Sequence, residues 1–193
     1  MTSMTIADLT AKIKSGEIDT VVVAMTDMQG RLTGKRIHGS FFLDEVLKHG
    51  TEGCNYLLAV DVDMNTVDGY EMSSWERGYS DFALVPDMDT LRMIDWQEGA
   101  ALVLADVQWL DHTDVVASPR QILRKQVKAL KDAGMEAMCG TELEFVVYKD
   151  TYEEAWNKGY KNLIPVNQYN VDYSIMGGSR IEPLLRRIRL AMA

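Results

Sequence analysis

The first residues of the chain show the apolar spacing of an amphipathic helix. Apolar side chains recur at helical intervals, at Ile6, Leu9 and Ile13. Thr5, followed three residues later by Asp8, resembles a capping pair, and Gly16 supplies a C-terminal stop. The pattern therefore predicts a helix that begins after Thr5 and ends before Gly16.

The next residues change to the pattern of a β-hairpin. A largely β-branched run covers residues 21–25, "DMQG" supplies turn chemistry, and a second run covers residues 32–37. The segment "SFFLDEVLKHG" then predicts a short helix from Ser40 to a stop at Gly50.

Residues 57–79 are polar and contain glycine, which predicts a long loop after a short strand. Two further strands are predicted at "DFALVPD" and "AALVLADV", separated by "MDTLRMIDWQEG". This order is typical of a small sheet crossed by one helix, which is an α+β unit.

The pattern becomes helical again after residue 117. Ser118 is the predicted N-cap, Pro119 takes the first helical position, and Gly134 follows the last turn. An apolar stripe runs along this helix, at Ile122, Leu123, Val127 and Leu130. We place a domain boundary near residues 111–117, which divides the chain into residues 1–113 and 114–193.

The last predicted helix is "SRIEPLLRRIRLAMA". Gly177 and Gly178 precede it and are interpreted as a flexible approach. Its apolar face is formed by Ile181, Leu184, Leu185 and Ile188. The helical pattern reaches residue 193 without a stop signal, so we expect the second domain to be incomplete.

The segment "GTELEFVVYKD", residues 140–150, sets two glutamates one residue apart in an apolar run. Strand side chains alternate between faces, so Glu142 and Glu144 would share one face with Val146 and Tyr148. The pattern alone favours a strand with one solvated face, which is common in antiparallel sheets. The other interpretation is a functional carboxylate pair, because the shared face turns apolar after Glu144.

Two adjacent carboxylates repel each other unless a cation lies between them. Oxygen ligands on a rigid strand suit Mg²⁺ or Mn²⁺ bound together with phosphate. A glycoside hydrolase pair fits less well, since those carboxylates flank a bond from opposite sides, about 5 Å or more apart. Glu142 and Glu144 are therefore the candidate metal ligands.

Charge and composition exclude several classes of partner. The formal net charge of -9 argues against nonspecific nucleic-acid binding, which requires basic surfaces. The two cysteines, Cys54 and Cys139, have no CxxC spacing and are interpreted as reduced thiols. No apolar run approaches the roughly 20 residues that cross a bilayer, and no signal-peptide core is present. We therefore expect a cytoplasmic protein with neither a nucleic-acid nor a membrane partner.

Four segments, in order along the chain, resemble the glutamine synthetase superfamily. "GTELEFVVY" is similar to the family's metal-binding strand, Glu-x-Glu-Phe followed by apolar residues. "DMQGRLTGKRI" resembles its early Asp-x-x-Gly-x-x-x-Gly-Lys hairpin. "LVPDMDTLRMIDWQEGAALVLADV" resembles its Pro-Asp-x-x-Thr segment and the strand after it, and "SPRQILRKQVKAL" resembles its Pro-Arg helix. Each segment is weak alone, and their common order carries the resemblance.

The resemblance implies a fold and an assembly. Residues 1–113 would form an N-terminal β-grasp domain with a leading helix. Residues 114–193 would begin the glutamine synthetase catalytic domain, an antiparallel sheet or barrel with helices, here truncated. Because the family's N-terminal domain reaches into the neighbouring subunit, we expect a homo-oligomer of stacked rings with shared active sites. The loop at residues 61–79 would face the neighbour.

The resemblance also implies ATP-dependent ligation of the γ-carboxylate of glutamate to ammonia or an amine through γ-glutamyl phosphate. Glu144 would bind the Mg²⁺ or Mn²⁺ ion nearer glutamate and ammonia, and Glu142 the ion that holds the ATP phosphates. Tyr173 would lie near the ammonia pocket. The family's other ligands fall beyond residue 193, so we expect no catalytic residue in residues 1–193 and no activity from them alone.

One departure from the family bears on the substrate. Ammonia-using members carry a contiguous Asp-Gly-Ser-Ser, whereas here Asp68-Gly69 is followed by Tyr70, with serines at positions 73 and 74. This resembles the branch that acts on polyamines, ethanolamine or other amines, and it favours an amine over ammonia. The alternative function is a non-catalytic, glutamine-synthetase-like binding or assembly module.

Overall fold

The computed structural model describes residues 4–76 and 78–192, which divide into two compact units, Met1–Ala137 and Met138–Ala193. The first unit contains helices α1 (Ile6–Ser15), α2 (Gly39–Phe41), α3 (Leu47–His49) and α4 (Pro119–Asp132), and strands β1 (Thr20–Thr26), β2 (Leu32–His38), β3 (Thr51–Cys54), β4 (Asp81–Met93) and β5 (Ala100–Gln108). A π-helical turn, Phe42–Val46, joins α2 to α3, and a 3-10 turn covers Asn55–Leu58. The second unit contains helices α5 (Tyr152–Asn157), α6 (Ile175–Ser179) and α7 (Glu182–Met192).

The five strands form one mixed sheet in the order β2-β1-β5-β4-β3. β1 and β5 run parallel, and the other neighbouring pairs are antiparallel. Fully buried side chains from helices and strands form one core against this sheet, including Leu9, Phe42, Val23, Phe82 and Val103. The predicted α+β class is confirmed.

The predicted N-terminal helix is confirmed at both ends. The Thr5 hydroxyl accepts a hydrogen bond from the backbone N–H of Asp8 (3.1 Å), and the Asp8 carboxylate accepts one from the backbone N–H of Thr5 (3.0 Å). Gly16 ends the helix in the left-handed conformation, with φ of 78°. The predicted helix after the hairpin is also confirmed, as the continuous run of α2, the π-helical turn and α3.

The first half of the segment predicted to separate two strands is itself strand. β4 continues through Met93, and its pairing with β5 shifts register between Asp87 and Arg92. At this bulge the Thr90 hydroxyl donates to the carbonyl of Asp87 (2.7 Å) and accepts from the backbone N–H of Leu104 (2.8 Å). A side chain thus replaces a ladder hydrogen bond, which local patterning does not reveal.

Helix α4 begins at Pro119 as predicted, but none of its side chains is buried in the described residues. Two arginines, Arg120 and Arg124, attach it to the sheet by ion pairs with Asp87 on β4 and Asp106 on β5. Arg120 Nε lies 2.8 Å from Asp106 Oδ1, and Arg124 Nη2 lies 2.9 Å from Asp87 Oδ2. By contacts α4 therefore belongs to the first unit, whose boundary with the second falls after Ala137. The division at residues 113 and 114 stays a prediction.

The second unit departs from the sequence interpretation in two places. α5 is a helix that the sequence analysis does not predict, although its N-terminus carries a complete capping box between Thr151 and Glu154. Gly177 and Gly178 lie inside α6, so the interpretation as a flexible approach is wrong. A Cβ atom on Gly177 would lie 2.7 Å from the side chain of Val171, so close packing explains this glycine. α7 confirms the last predicted helix.

The turn of the β1–β2 hairpin is organised by one buried carboxylate. Asp27 is fully buried, and its Oδ1 accepts hydrogen bonds from the backbone N–H groups of Gln29 (2.9 Å) and Arg31 (2.8 Å). Its Oδ2 accepts from Nε of Arg31 at 2.7 Å. Burial raises the pKa of Asp27, but the hydrogen bonds from Arg31 and Gln29 outweigh it and hold the pKa below its usual range.

No helix in residues 4–76 and 78–192 is both long enough and apolar enough to cross a membrane.

Gly34→Ala should destabilise the first unit far more than Gly30→Ala. A Cβ on Gly34 would lie 2.0 Å from the carbonyl oxygen of Val23, so the hairpin would have to separate, at a cost of roughly 3 kcal/mol. Gly30 has φ of 83° with open space around it, so alanine there meets only backbone strain of about 1 kcal/mol. Urea unfolding of both variants measures the difference, and equal midpoints would contradict the close approach.

Asp27→Asn should lower the free energy of unfolding at pH 7 by about 1–3 kcal/mol, because a charged acceptor of three hydrogen bonds is lost. The folded-state pKa of Asp27 lies below its unfolded value, so its contribution is complete above about pH 4 and falls as the pH drops further. Denaturant unfolding across this range should show wild type and variant converging in acid. A difference in the free energy of unfolding that stays constant down to pH 2 would contradict a stabilising role for the ionised Asp27 carboxylate.

Candidate active site

The segment that carries Glu142 and Glu144 is not a strand in the described residues, so that prediction is wrong for this part of the chain. A strand requires a neighbour to satisfy its backbone, and the pairing here is limited to Tyr148 with Pro165. Around that bridge, Val166 N–H donates to the carbonyl of Val147, and Lys149 N–H donates to that of Ile164, both at 2.9 Å.

Both glutamates are exposed, and so are the apolar side chains between and beyond them. Leu143 is 87% exposed and Phe145 52%, although these two were predicted to lie on the face opposite the glutamates. The structure therefore exposes both sides of residues 142–146 and encloses neither.

An open cleft in the second unit, about 840 Å³ in volume, brings together two of the candidate residues. Glu144 and Tyr173 both line it, together with residues in the ranges 143–147, 165–167 and 169–172 and Ile181. Tyr173 has φ of 56° and a side chain that is almost fully exposed. Glu142 does not line this cleft, so the structure places the two glutamates in different surroundings.

The wall of the cleft that carries Tyr173 is held by local hydrogen bonds. The Ser174 hydroxyl accepts from the N–H of Gly177 (3.1 Å), and Nδ2 of Asn167 donates to the carbonyl of Gly177 (3.2 Å). Nη1 of Arg180 donates to the carbonyl of Val166 at 3.3 Å. These contacts cap the N-terminus of α6 and tie α6 and the residue after it to residues 166 and 167, which line the cleft.

Asp150 stabilises the segment between the two partners of the Tyr148–Pro165 bridge. Its carboxylate pairs with the ammonium of Lys158 and accepts a hydrogen bond from the N–H of Ile164 (2.6 Å). The hydrogen bond from Lys158, then that from Ile164, holds the pKa of Asp150 below its usual range. Asp150 therefore keeps residues 150–164 closed as a loop next to the Tyr148–Pro165 bridge.

The carboxylates of Glu142 and Glu144 are the candidate donors for the divalent cation that the resemblance implies. Glu142 and Glu144 offer carboxylate oxygens, the ligand type that Mg²⁺ and Mn²⁺ prefer. Neither forms an ion pair with a Lys or Arg among the described residues, so both are open to a cation. Within residues 4–76 and 78–192, however, no three His, Cys, Asp or Glu side chains gather as a metal-binding group. The ligand chemistry fits a divalent cation, and the number of ligands falls short.

The first unit carries the loop that the sequence analysis singled out. Residues 59–80 contain no helix or strand among those described there, apart from the isolated bridges Val60–Thr66 and Ser74–Gly78. The predicted long loop is thus confirmed. Its second half lines an open cleft of about 720 Å³, formed by residues 70–72 and 78–80 with Trp109. Asp68 is exposed, whereas Ser73 is buried with an unpartnered hydroxyl.

Sequence reasoning missed the contacts that position these elements. The pairing of Arg120 with Asp106 and the hydrogen bond from Ile164 to Asp150 each join residues 14 positions apart, which local patterning treats separately, whereas the contacts of Asp27 lie within four residues. An aspartate three residues before the glycine of the "DMQG" turn was the available signal for Asp27. The "TYEE" capping box was the available signal for α5.

Comparison with known proteins identifies relatives of the chain. Residues 116–193 match the family described as glutamine synthetase, catalytic domain. The chain is 62% identical over 188 residues to gamma-glutamylethanolamide synthetase GlnA4 of Streptomyces coelicolor, covering 97% of this chain and 41% of that protein. It is 32% identical over 180 residues to glutamate–isopropylamine ligase of a Pseudomonas species, covering 93% of this chain and 39% of that protein.

A crystal structure described as a novel glutamine synthase homolog shares the fold, with a TM-score of 0.51 and 21% identity over 60% of this chain and 27% of that one. The present chain thus spans about two-fifths of the length of the relatives named above. Four ordered motifs, the catalytic-domain match and the 62% identity agree. The chain belongs to the glutamine synthetase superfamily.

Proposed function

We propose that the full-length protein is an ATP-dependent ligase that joins the γ-carboxylate of glutamate to a small primary amine. The observation that carries this proposal is the 62% identity, over 97% of the chain, to a protein named gamma-glutamylethanolamide synthetase. The second relative is likewise named for an amine, isopropylamine. Glu142 and Glu144 lie within the residues that match the catalytic domain.

The proposed reaction has two steps. A γ-carboxylate oxygen of glutamate attacks the γ-phosphorus of ATP, which forms γ-glutamyl phosphate and releases ADP. The amine nitrogen then attacks the acyl carbon, the amine gives up a proton, and inorganic phosphate leaves. A divalent cation, when bound, would supply neutralisation of the charge on the transferring phosphoryl group.

We assign the candidate residues as follows. Glu144 lines the cleft in the second unit and would hold the cation nearer glutamate and the amine. Glu142, outside that cleft, would hold the cation that binds the ATP phosphates. Tyr173, which lines the same cleft, would contact the amine. In each case the side chain is accessible to a ligand, since all three are exposed.

The finer architecture is part of this proposal. The hairpin, crossing helix and mixed sheet with a parallel central pair fit a β-grasp domain over residues 1–113. Residues 114–193 would begin the catalytic domain, in which residues 140–148 pair with further strands. Such pairing would cover Leu143 and Phe145, whose exposure is costly for apolar side chains. We further propose a cytoplasmic homo-oligomer of stacked rings whose active sites are shared between subunits.

The acceptor is proposed to be an amine that carries a short carbon chain. Where ammonia-using family members have a contiguous Asp-Gly-Ser-Ser, Tyr70 follows Asp68-Gly69 in this chain, and Ser73 is buried. A compact ammonium site therefore has fewer polar groups available in this loop. The aromatic side chains of Tyr70 and Trp75 are exposed instead, and they offer surface to a substituted amine.

Glu144→Gln in the full-length protein should lower kcat by about 100-fold or more and weaken Mn²⁺ binding, because a neutral amide is a poorer cation ligand. ADP release with glutamate and ethanolamine measures the first effect, and calorimetric titration with Mn²⁺ measures the second. Glu153→Gln makes the same charge change on the surface of α5 and should leave both unchanged. Unaltered metal affinity in Glu144→Gln would contradict the assignment.

Among ammonium, ethanolamine, putrescine and spermidine, we expect ethanolamine to give the highest kcat/KM, about tenfold above ammonium, which corresponds to ~1.4 kcal/mol of transition-state discrimination. The measurement is ADP release by the full-length protein with each amine at saturating glutamate. A preference for ammonium would contradict the interpretation that the loop with Tyr70 after Asp68-Gly69 favours a substituted amine. No amine-dependent ADP release at all would favour the non-catalytic binding or assembly module.

A further inference from the structure

The guanidinium of Arg31 joins the hairpin turn to a loop about thirty residues further along the chain. Its Nε donates to the buried carboxylate of Asp27, which leaves the two terminal nitrogens directed to other acceptors. Nη1 donates to the carbonyl of Val62 (2.5 Å) and Nη2 to that of Asp61 (3.3 Å). Nη2 also lies 3.2 Å from the sulfur of Met64.

A second side chain of the same turn reaches the same loop. Nε2 of Gln29 donates to the carbonyl of Val60 at 3.1 Å. Three consecutive main-chain carbonyls, from residue 60 to residue 62, are thus held by two side chains of the hairpin turn. Because the acceptors are backbone atoms, the attachment fixes the path of the chain independently of the loop's own side chains.

The loop itself, residues 59–67, is closed by internal hydrogen bonds. The Asp61 carboxylate accepts from the N–H groups of Asp63 and Asn65, both at 2.9 Å. Val67 N–H donates to the carbonyl of Ala59 at 3.1 Å. The hydrogen bond from the backbone N–H of Asn65 is the leading cause that holds the pKa of Asp61 below its usual range.

Apolar burial does not anchor this loop to the first unit. Residues 62–70 are all exposed, and the side chain of Val62 is 69% exposed. Ala59 and Val60, the first two residues of the loop, are buried, so its entry is fixed by packing and its tip is not. Beyond that entry, the contacts from Arg31 hold residues 61–64 against the hairpin turn.

We propose that Arg31 is a positioning residue for the acceptor amine. The loop it holds continues directly into residues 68–75, which include Asp68, Tyr70 and Trp75. By fixing residues 61–64, Arg31 sets where that segment begins. The effect on the amine rests on the proposed function, in which this segment contacts the acceptor, whereas the fixing of the loop stands on the contacts alone.

The chemistry of Arg31 suggests a variant that separates its ion pair with Asp27 from its hydrogen bonds to the loop. Lysine at this position keeps a positive charge for Asp27, but its single ammonium cannot also span the carbonyls of residues 61 and 62. Arg31→Lys should therefore preserve the hairpin turn, whose Asp27 Oδ1 contacts involve backbone N–H groups, and release the loop. Arg36→Lys is the matched control, since Arg36 is an exposed arginine on β2 of the same hairpin.

Hydrogen–deuterium exchange on the full-length protein tests the attachment of the loop. In Arg31→Lys, the amides of residues 61–67 should exchange about tenfold faster, while those of β1 and β5 keep their wild-type rates. Gln29→Leu should produce a smaller increase over the same residues, because it removes one of the contacts. Unchanged exchange at residues 61–67 in Arg31→Lys would overturn the proposal.

Steady-state kinetics test the consequence for the amine. Arg31→Lys should raise the KM for ethanolamine about fivefold to tenfold, while the KM values for ATP and glutamate stay within about twofold. Equal increases in all three KM values would indicate general destabilisation and would overturn a positioning role, as would an unchanged amine KM with a released loop. If the wild-type protein turns over no amine, the proposed function is wrong, and so is the role of Arg31 in positioning the amine. Hydrogen–deuterium exchange would then still show whether Arg31 holds the loop.

Discussion

A β-strand persists only where neighbouring strands satisfy its backbone N–H and carbonyl groups, and this requirement separates the two units of the chain. In the first unit β1, β4 and β5 each pair on both sides, and the core closes around them. In the second unit residues 140–146 have no such neighbour among the described residues, and the apolar side chains of Leu143, Phe145 and Val146 are exposed. The carboxylates of Glu142 and Glu144 are attached to that backbone, so their geometry depends on the pairing that backbone obtains.

Three of the four motifs that carry the family resemblance are explained by folding contacts in the first unit. The aspartate of the hairpin motif is the buried acceptor Asp27, and its second glycine, Gly34, permits the close approach of β1. The Pro-Asp-x-x-Thr and Pro-Arg motifs meet where Asp87 pairs with Arg120. The two glutamates of Glu-x-Glu form no ion pair with Lys or Arg within the described residues.

The parts of the fold that sequence reasoning predicted are those determined within a few residues. The capping box of α1, the hairpin turn and the start of α4 at Pro119 all depend on neighbours at most four positions away. The extension of β4 depends on Thr90 meeting Leu104 across the sheet, and no local pattern encodes such a contact. The signal for α5 was local, because Thr151 and Glu154 form the same kind of capping pair as Thr5 and Asp8. It was nevertheless overlooked.

For the candidate site, the roles of Glu142, Glu144 and Tyr173 stay predictions, and their arrangement differs from the one that the sequence predicted. Glu144 and Tyr173 line one cleft, and Glu142 lies outside it. The spacing of residues 142 and 144 places both on one face only if the backbone is extended and paired. The loop held by Arg31 was predicted as a loop. Its attachment to Arg31 could not be predicted, because the two partners are about thirty residues apart in sequence.

The ion pairs of α4 have a consequence for how a helix can be oriented without a buried face. Asp87 and Asp106 bind Arg120 and Arg124 at one turn's spacing, so they fix the rotation of α4 about its own axis. The direction in which Ile122, Leu123 and Val127 are exposed is then set by charge and not by apolar packing. An apolar surface oriented in this way would lose less entropy on binding an apolar partner, and its alignment should weaken as ionic strength rises.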